Sequence, residues 1–430
     1  MSFTSTRDGA PRIPFEEAVL RNLPGDGGLY MPADLTPLRD ADALLDLTWH
    51  ARNGRLLQRL SGAWDAGAWE AVSRASLDFP VPLVEVDARI SALELFHGPT
   101  LAFKDVGIRV LAAVLARISP APRLVLTATS GDTGAAVAHA FWNRPGFRVA
   151  VLYPKGRVTL SQERQIAGLG ANVHAFAMEG SFDACQTLVK GCFADAALSE
   201  AVGLVSANSI NVSRLLAQVL YYAEAAVQLR KHGKDGAVYS VPSGNFGNLC
   251  AGLMARRLGL PIAGLVAATN VNRTVPDHLD GGPYAPRPSV PTMSNAMDIG
   301  DPSNWERIAW MHGGDPQVLR RALRWDALSD GATLDALREL RASGYTADPH
   351  GAVAYGALRR QLRPGERGVF LATAHPAKFR ETLSQRLGWS IPLPEPLRAL
   401  EARELSLTPL ADDLAALKTR LRSLPSTDLP

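Results

Sequence analysis

From about residue 93 onward, short apolar runs rich in β-branched residues alternate with segments whose apolar positions recur at helical spacing. Leu124–Ser130 (LVLTATS) reads as a buried strand, and Thr133–Trp142 (TGAAVAHAFW) as a helix starting almost at once after it. Phe147–Pro154 is a second strand, followed by a helix near Ser161–Leu169. Strand Val173–Met178, helix Phe182–Asp195 and strand Gly203–Ala207 continue the alternation. Leu215, Leu216, Val219 and Leu220 share one face of a long amphipathic helix predicted over Asn211–Leu229. Later strands are predicted at Ala237–Pro242, Ile262–Thr269 and Gly368–Thr373. Strand–helix repetition of this kind argues for an α/β protein with parallel sheet covered by helices on both faces.

Residues 1–92 follow a different pattern. They read as mostly helical, broken by Asp26-Gly27-Gly28 and several prolines, and form a separate N-terminal lobe. The run Pro283–Pro291 (PYAPRPSVP) is a loop that no helix could contain. The tail from about Leu393 is rich in Leu, Ala and Arg and is predicted helical, and no internal repeat occurs.

Composition excludes more than it assigns. A chain of 430 residues is too long for one core and implies two or three domains. Its net charge of +3, from 45 basic and 42 acidic residues, makes no strong field, and no basic run carries interleaved aromatics. Nucleic acid is therefore not an expected partner. Cys185, Cys192 and Cys250 fit no metal-ligand spacing, which points to buried free thiols in a reducing compartment and to no metal site. The N-terminus, Met1–Asp8, lacks an apolar signal core, and no stretch approaches the roughly 20 apolar residues that span a bilayer, so a cytoplasmic location without membrane contact is expected.

The chemistry gathers around Lys104, in LFHGPTLAFKD (95–105). Three apolar residues and a Gly-Pro turn precede it, a context that carries an ammonium into a partly desolvated place and lowers its pKa, as a Schiff-base lysine requires. The structural alternative is a helix-terminal lysine paired with Asp105. Two glycine-rich turns join a strand to a helix: Thr129-Ser130-Gly131-Asp132-Thr133-Gly134 and Ser243-Gly244-Asn245-Phe246-Gly247-Asn248. Unpaired N–H groups and the helix dipole make such turns anion sites, and glycine lets the backbone approach closely. Neither turn fits the dinucleotide or Walker pattern. A third polar junction, Asn208-Ser209-Ile210-Asn211-Val212-Ser213-Arg214, reads either as a helix cap or as an anion site with Arg214 one turn inside. Thr373 and His375 close the strand at 368–373, where His375 reads as a structural hydrogen-bonder. A reactive lysine, several anion cradles and no metal or cysteine site together fit pyridoxal 5′-phosphate, whose aldehyde needs an amine and whose phosphate needs a cradle.

HGPTLAFKD, TATSGDTGAAVAHAF, SANSINVSRLLAQ, VPSGNFGN, SNAMD, TAHPAKF and the N-terminal FEEAVLRNLPGDGGLYMP resemble the threonine synthase family, over about residues 3–390. That resemblance implies a fold type II pyridoxal-phosphate enzyme, similar to the tryptophan synthase β subunit. It implies two open, twisted, mostly parallel sheets covered by helices, plus a mainly helical N-terminal lobe. The implied domains are 1–92, a large cofactor domain from 93–105 and 236–392, a small α/β domain at 106–235, and a helical tail at 393–430. The implied reaction converts O-phospho-L-homoserine and water to L-threonine and phosphate. Lys104 matches the lysine that bonds the cofactor and moves protons. Ser243, Gly244, Asn245, Phe246, Gly247 and Asn248 match the cofactor-phosphate loop, and Thr373 the hydroxyl facing the ring nitrogen. Asp132 falls near the ring 3′-oxygen, where a carboxylate would repel a phenolate-like oxygen unless a proton is shared. Thr129, Ser130 and Thr133 match positions for the substrate's carboxylate or phosphate, and Asn208, Ser209 and Arg214 the substrate-phosphate site. A monomer or homodimer is expected. The alternatives are a related phospho-lyase releasing 2-oxobutyrate and a non-catalytic protein of the same fold.

Overall fold

Two parallel sheets organise the chain in this computed structural model, which describes residues 2–7, 9–119 and 121–425. Met1 and Asp8 of the N-terminal segment, Pro120, and 426–430 of the tail lie outside the described residues. A short antiparallel ribbon pairs β1 (Phe3–Ser5) with β2 (Tyr30–Pro32). The larger sheet uses β3 (Leu83–Glu85), β4 (Ile90–Glu94), β9 (Ala237–Pro242), β10 (Ile262–Thr269), β11 (Arg324–Ala327) and β12 (Gly368–Ala372). Their order is β11-β10-β9-β12-β4-β3, parallel except for the short antiparallel edge strand β3. The second sheet runs β13-β7-β6-β5-β8, all parallel, from β5 (Arg123–Ala128), β6 (Phe147–Pro154), β7 (Val173–Met178), β8 (Leu204–Ser206) and β13 (Leu407–Leu410).

Central strands buried on both faces must be apolar throughout, and β9 and β12 have every residue buried. Helix Pro349–Gln361 packs across β9, β10, β11 and β12, with Ala352, Val353, Ala354 and Leu358 fully buried. Its start is fixed by Asp348, whose carboxylate accepts the N–H groups of His350 and Gly351, followed by Pro349 at a position where a missing N–H costs nothing. In the second sheet, Ala135, Ala136, Val137 and Ala138 of helix Asp132–Phe141 are fully buried, and the helix lies against β6.

Three features differ from the sequence-based expectation. The helix predicted over Asn211–Leu229 is two helices, Val212–Ala217 and Val219–Lys231. Gln218 stands at the break, where its side-chain amide donates to the Arg214 carbonyl at 3.0 Å. The N-terminal lobe holds helices Phe15–Arg21, Ala41–Leu45, Trp49–Ser61 and Ala66–Ser76, but also the β1–β2 ribbon, and β3 and β4 feed the larger sheet. The tail is not wholly helical: between helices Glu395–Glu401 and Leu414–Ser423 it contributes β13 to the edge of the second sheet.

Candidate active site

Parallel strands deliver their C-terminal ends to one cleft, where ligands bind in open α/β sheets. The cleft is lined by Lys104, by Thr129, Ser130, Asp132 and Thr133 after β5, and by Asn208, Ser209 and Arg214 after β8. Gly244, Asn245, Phe246, Gly247 and Asn248 after β9, and Thr373 after β12, complete it. Of the site residues expected from sequence, Ser243 alone does not line the cleft, because its hydroxyl turns back to the Val241 carbonyl at 2.8 Å. His375 is also outside it: its Nδ1 accepts the N–H of Ala377 at 3.1 Å, and its ring meets Phe96 edge-on.

Lys104 opens helix Lys104–Ile118 and donates to Thr133 Oγ1 at 2.9 Å. Desolvation pulls its pKa down to about 8, Asp132 opposes the shift, and the cations of Arg214 and Lys378 add to it. Asp105 is not its partner. That carboxylate is buried against Thr100, accepting the Thr100 N–H at 2.8 Å and hydroxyl at 2.9 Å, and burial pushes it up to about 6. Gly98 is glycine because a Cβ there would lie 2.5 Å from Asp105 Oδ2.

Asp132 has a cation of its own. Lys378 Nζ, with no exposed surface, sits 2.8 Å from Asp132 Oδ1, and Gln162 Nε2 donates to the same oxygen at 2.9 Å. Burial alone would raise the Asp132 pKa, but Lys378 and Lys104 overcome it and hold the carboxyl at about 2. A buried lysine, rather than a shared proton, therefore meets the charge of this carboxylate. Gly131, at φ 140°, lets the turn pass beneath Gln162, whose amide carbon would lie 2.3 Å from a Cβ. Thr129 Oγ1 accepts the N–H groups of Gly131 at 2.9 Å and Gly134 at 2.8 Å, so it shapes the turn it belongs to.

The opposite wall is a set of donors with little to donate to. Helix Gly247–Arg257 points its N-terminus into the cleft, and its first amides have no partner within the helix. Asn248 Oδ1 accepts the hydroxyls of Tyr221 at 2.6 Å and Tyr222 at 2.8 Å, which leaves its Nδ2 buried without a partner. Gly244 approaches so closely that a Cβ would stand 2.7 Å from the Met297 Cα. Arg214 donates to the Ala207 carbonyl at 2.7 Å, its Nε is buried without a partner, and no carboxylate among the described residues pairs with it. Burial lowers its pKa to about 10, which leaves it a cation at neutral pH. Donors this deep call for anions, so the residues fit a phosphorylated aldehyde cofactor with Lys104 as its amine and the 244–248 loop at its phosphate.

Sequence reasoning did not single out Phe103, Phe182, Gln186, Ala296, Met297 or His350, all of which line the cleft. His350 Nδ1 lies 2.6 Å from Asp348, so that nitrogen carries the proton and Nε2 accepts the Ala296 N–H at 3.2 Å. The Asp-Pro-His sequence at a helix start was the available signal for this residue. Among the described residues no group of His, Cys, Asp and Glu could hold a metal ion, and no helix is long and apolar enough to cross a membrane.

Comparison with known proteins agrees with this geometry. A family model described as pyridoxal-phosphate-dependent enzyme matches residues 80–374. Models of the threonine synthase N terminus and C-terminal region match residues 2–51 and 351–420. The threonine synthase of Haemophilus influenzae is 45% identical over 98% of this chain and 99% of its own, and that of Escherichia coli 46% identical over 97% and 98%. The crystal structure of the Escherichia coli enzyme superposes with a TM-score of 0.92 at 44% identity, covering 98% of this chain and 99% of that one. A pyridoxal-phosphate-bound threonine synthase from Brucella melitensis gives 0.91 at 35% identity, covering 99% and 100%. The fold and the cleft thus define a pyridoxal-phosphate-dependent enzyme of fold type II, a lyase of amino-acid biosynthesis. Within that class, the chain belongs to the threonine synthase family.

Proposed function

We propose that the cleft takes O-phospho-L-homoserine as its substrate and that its named side chains divide the conversion to L-threonine and phosphate between them. The observation that carries this reading is the pairing of one desolvated lysine with two separate sets of anion donors, one around Gly244–Asn248 and one around Ser209 and Arg214. When bound, the cofactor supplies an aldehyde for the amine and a conjugated ring that disperses the electrons released at the substrate's Cα. Asn248 and the N-terminus of helix Gly247–Arg257 would hold its phosphate, and the Thr373 hydroxyl would serve as partner to its ring nitrogen. A hydroxyl is a weaker partner for a pyridinium than a carboxylate, so Thr373 would favour the neutral ring.

Lys104 takes and returns protons at Cα and Cβ, for which a pKa of about 8 serves better than the ordinary value near 10.5. Asn208, Ser209 and Arg214 grip the substrate's phosphate until its bond to Cγ breaks. The hydroxyls of Thr129, Ser130 and Thr133 meet the carboxylate at the other end. Asp132, held by Lys378, stays an anion and keeps Gln162 over the turn, where it would lie beside the ring. Water adds at Cβ, so the cleft has to admit one water and exclude bulk solvent. We place the enzyme in the cytoplasm, where its three buried thiols stay reduced.

Incubating the purified holoenzyme with O-phospho-L-homoserine, while measuring phosphate release and identifying the amino-acid product, tests the reading. Equimolar phosphate and L-threonine are expected. Phosphate accompanied by 2-oxobutyrate would identify the phospho-lyase instead.

A further inference from the structure

Ser209 follows β8, and its hydroxyl oxygen receives two side-chain amides, Asn245 Nδ2 at 3.0 Å and Asn304 Nδ2 at 3.3 Å. Neither amide can be turned round. The other end of Asn304 faces Arg307 Nη1 at 2.7 Å, and a guanidinium only donates, so that end is the oxygen. The other end of Asn245 takes the backbone N–H of Ser303 at 2.7 Å, which fixes it in the same way. Arg307 is fully buried and anchored by donation to the carbonyls of Tyr30, Ser209 and Ile210. A serine hydroxyl has two lone pairs and one proton. Both lone pairs of Ser209 are occupied, and among the described residues its proton goes to no acceptor, although Ser209 lines the cleft.

We infer that Asn304, oriented by Arg307, is a positioning residue that locks Ser209 as an obligate hydrogen-bond donor, and that this polarity selects the fully ionised phosphate group over its monoprotonated form. The inference rests on Ser209 belonging to the substrate-phosphate site. An ionised phosphate presents only lone pairs and satisfies the Ser209 proton together with the unpartnered Nε of Arg214. A P–OH group turned toward the same wall meets donor with donor, which leaves one of the two protons unsatisfied. Arg307 and Asn304 touch no substrate atom. They act through the direction of one hydroxyl.

The test titrates inorganic phosphate into the holoenzyme by calorimetry, where the cofactor fills its own phosphate loop and only the second anion site responds. Ser209→Ala is expected to weaken binding roughly tenfold, the loss of one charge-assisted bond. Asn304→Asp replaces the amide donor with a carboxylate oxygen, so the Ser209 proton turns to it and a lone pair faces the phosphate. This variant is expected to weaken binding at least as much as Ser209→Ala, yet to add little when combined with it. The gain in wild-type affinity as pH rises through the second ionisation of phosphate is expected to flatten in Asn304→Asp. If that variant loses cofactor absorbance, Asn304→Ala takes its place and is expected to give a smaller loss that also vanishes on Ser209→Ala. Equal losses with and without Ser209, or no loss at all, would overturn the proposed polarity. Cofactor loosening in Ser209→Ala with unchanged phosphate binding would instead remove Ser209 from the substrate site.

Discussion

Lys104 is surrounded by the causes of its own reactivity. Desolvation and two neighbouring cations, Arg214 and Lys378, bring its pKa to about 8, against an ordinary value of 10.5, while Asp132 limits the shift. The sign follows directly: a depressed lysine becomes a neutral nucleophile as pH rises through 8, well before an exposed lysine would. Reconstitution of apoenzyme with pyridoxal phosphate, followed by absorbance, should therefore accelerate with pH and reach half its limit near pH 8. A half-point above 10 would show that the amine is solvated. Borohydride should fix the cofactor on the peptide containing Lys104, and Lys104→Ala should abolish turnover. Arg214 offers a different measurement. Its side chain supplies an unpaired charged donor worth about 1.5–3 kcal/mol, so Arg214→Ala should raise the KM for phosphohomoserine at least tenfold. Unchanged kinetics would exclude Arg214 from the phosphate site.

The elements that hold these side chains meet at a buried ion pair. Lys378 belongs to the 3₁₀ turn Pro376–Phe379 after β12, and Asp132 opens the helix after β5, so the pair ties one sheet to the other. Lys378 also donates to the Thr100 carbonyl at 2.8 Å, the same oxygen that Gln165 reaches at 3.0 Å. Lys378→Met should cost about 3–5 kcal/mol, because it leaves Asp132 buried and uncompensated, and Asp132→Asn should recover much of that. In the wild type the folded pKa of Asp132 is about 2, below its ordinary 3.8, so its contribution is complete above pH 4 and lost as pH falls toward 2. Without Lys378 that pKa rises, so the Tm gap between variant and wild type should be wide at neutral pH and narrow on acidification. A gap independent of pH would mean that Asp132 is not the group affected. The pair was not legible in the sequence, since 246 positions separate the partners and neither carries a local signal. Strands β6, β7, β9 and β10 were legible to the residue, because continuous apolar runs bounded by turns are what doubly covered parallel strands require. The glycine turns were legible for the same local reason, whereas His350 and Met297 reach the cleft only through tertiary packing.

Across the whole molecule, the last part of the chain returns to complete a sheet begun nearly 300 residues earlier. β13 is short, contains Pro409 and is mostly exposed, so no alternation in LTPL marks it as a strand. Its pairing comes from β7, whose outer edge would otherwise be unpaired. Helix Leu414–Ser423 then lays Leu417 and Leu421, both fully buried, over a cluster that includes Cys185, Leu188, Cys192 and Leu198. Contact is close enough that a Cβ on Gly191 would lie 2.8 Å from Leu414. Burial pushes the thiol pKa of Cys185 up to about 12 and that of Cys192 up to about 11, which keeps both unreactive. Cys250 is buried in a different cluster, which includes Tyr222 and Met254 but neither Leu417 nor Leu421. Truncation after Arg403 should therefore uncover the β7 edge and the apolar face beneath the helix, lower the Tm and promote association. Titration of the native truncated protein with a thiol reagent should label Cys185 and Cys192 quickly and leave Cys250 protected, whereas the full chain should resist at all three. Protection of Cys185 and Cys192 after truncation would mean that the tail covers the sheet without stabilising it.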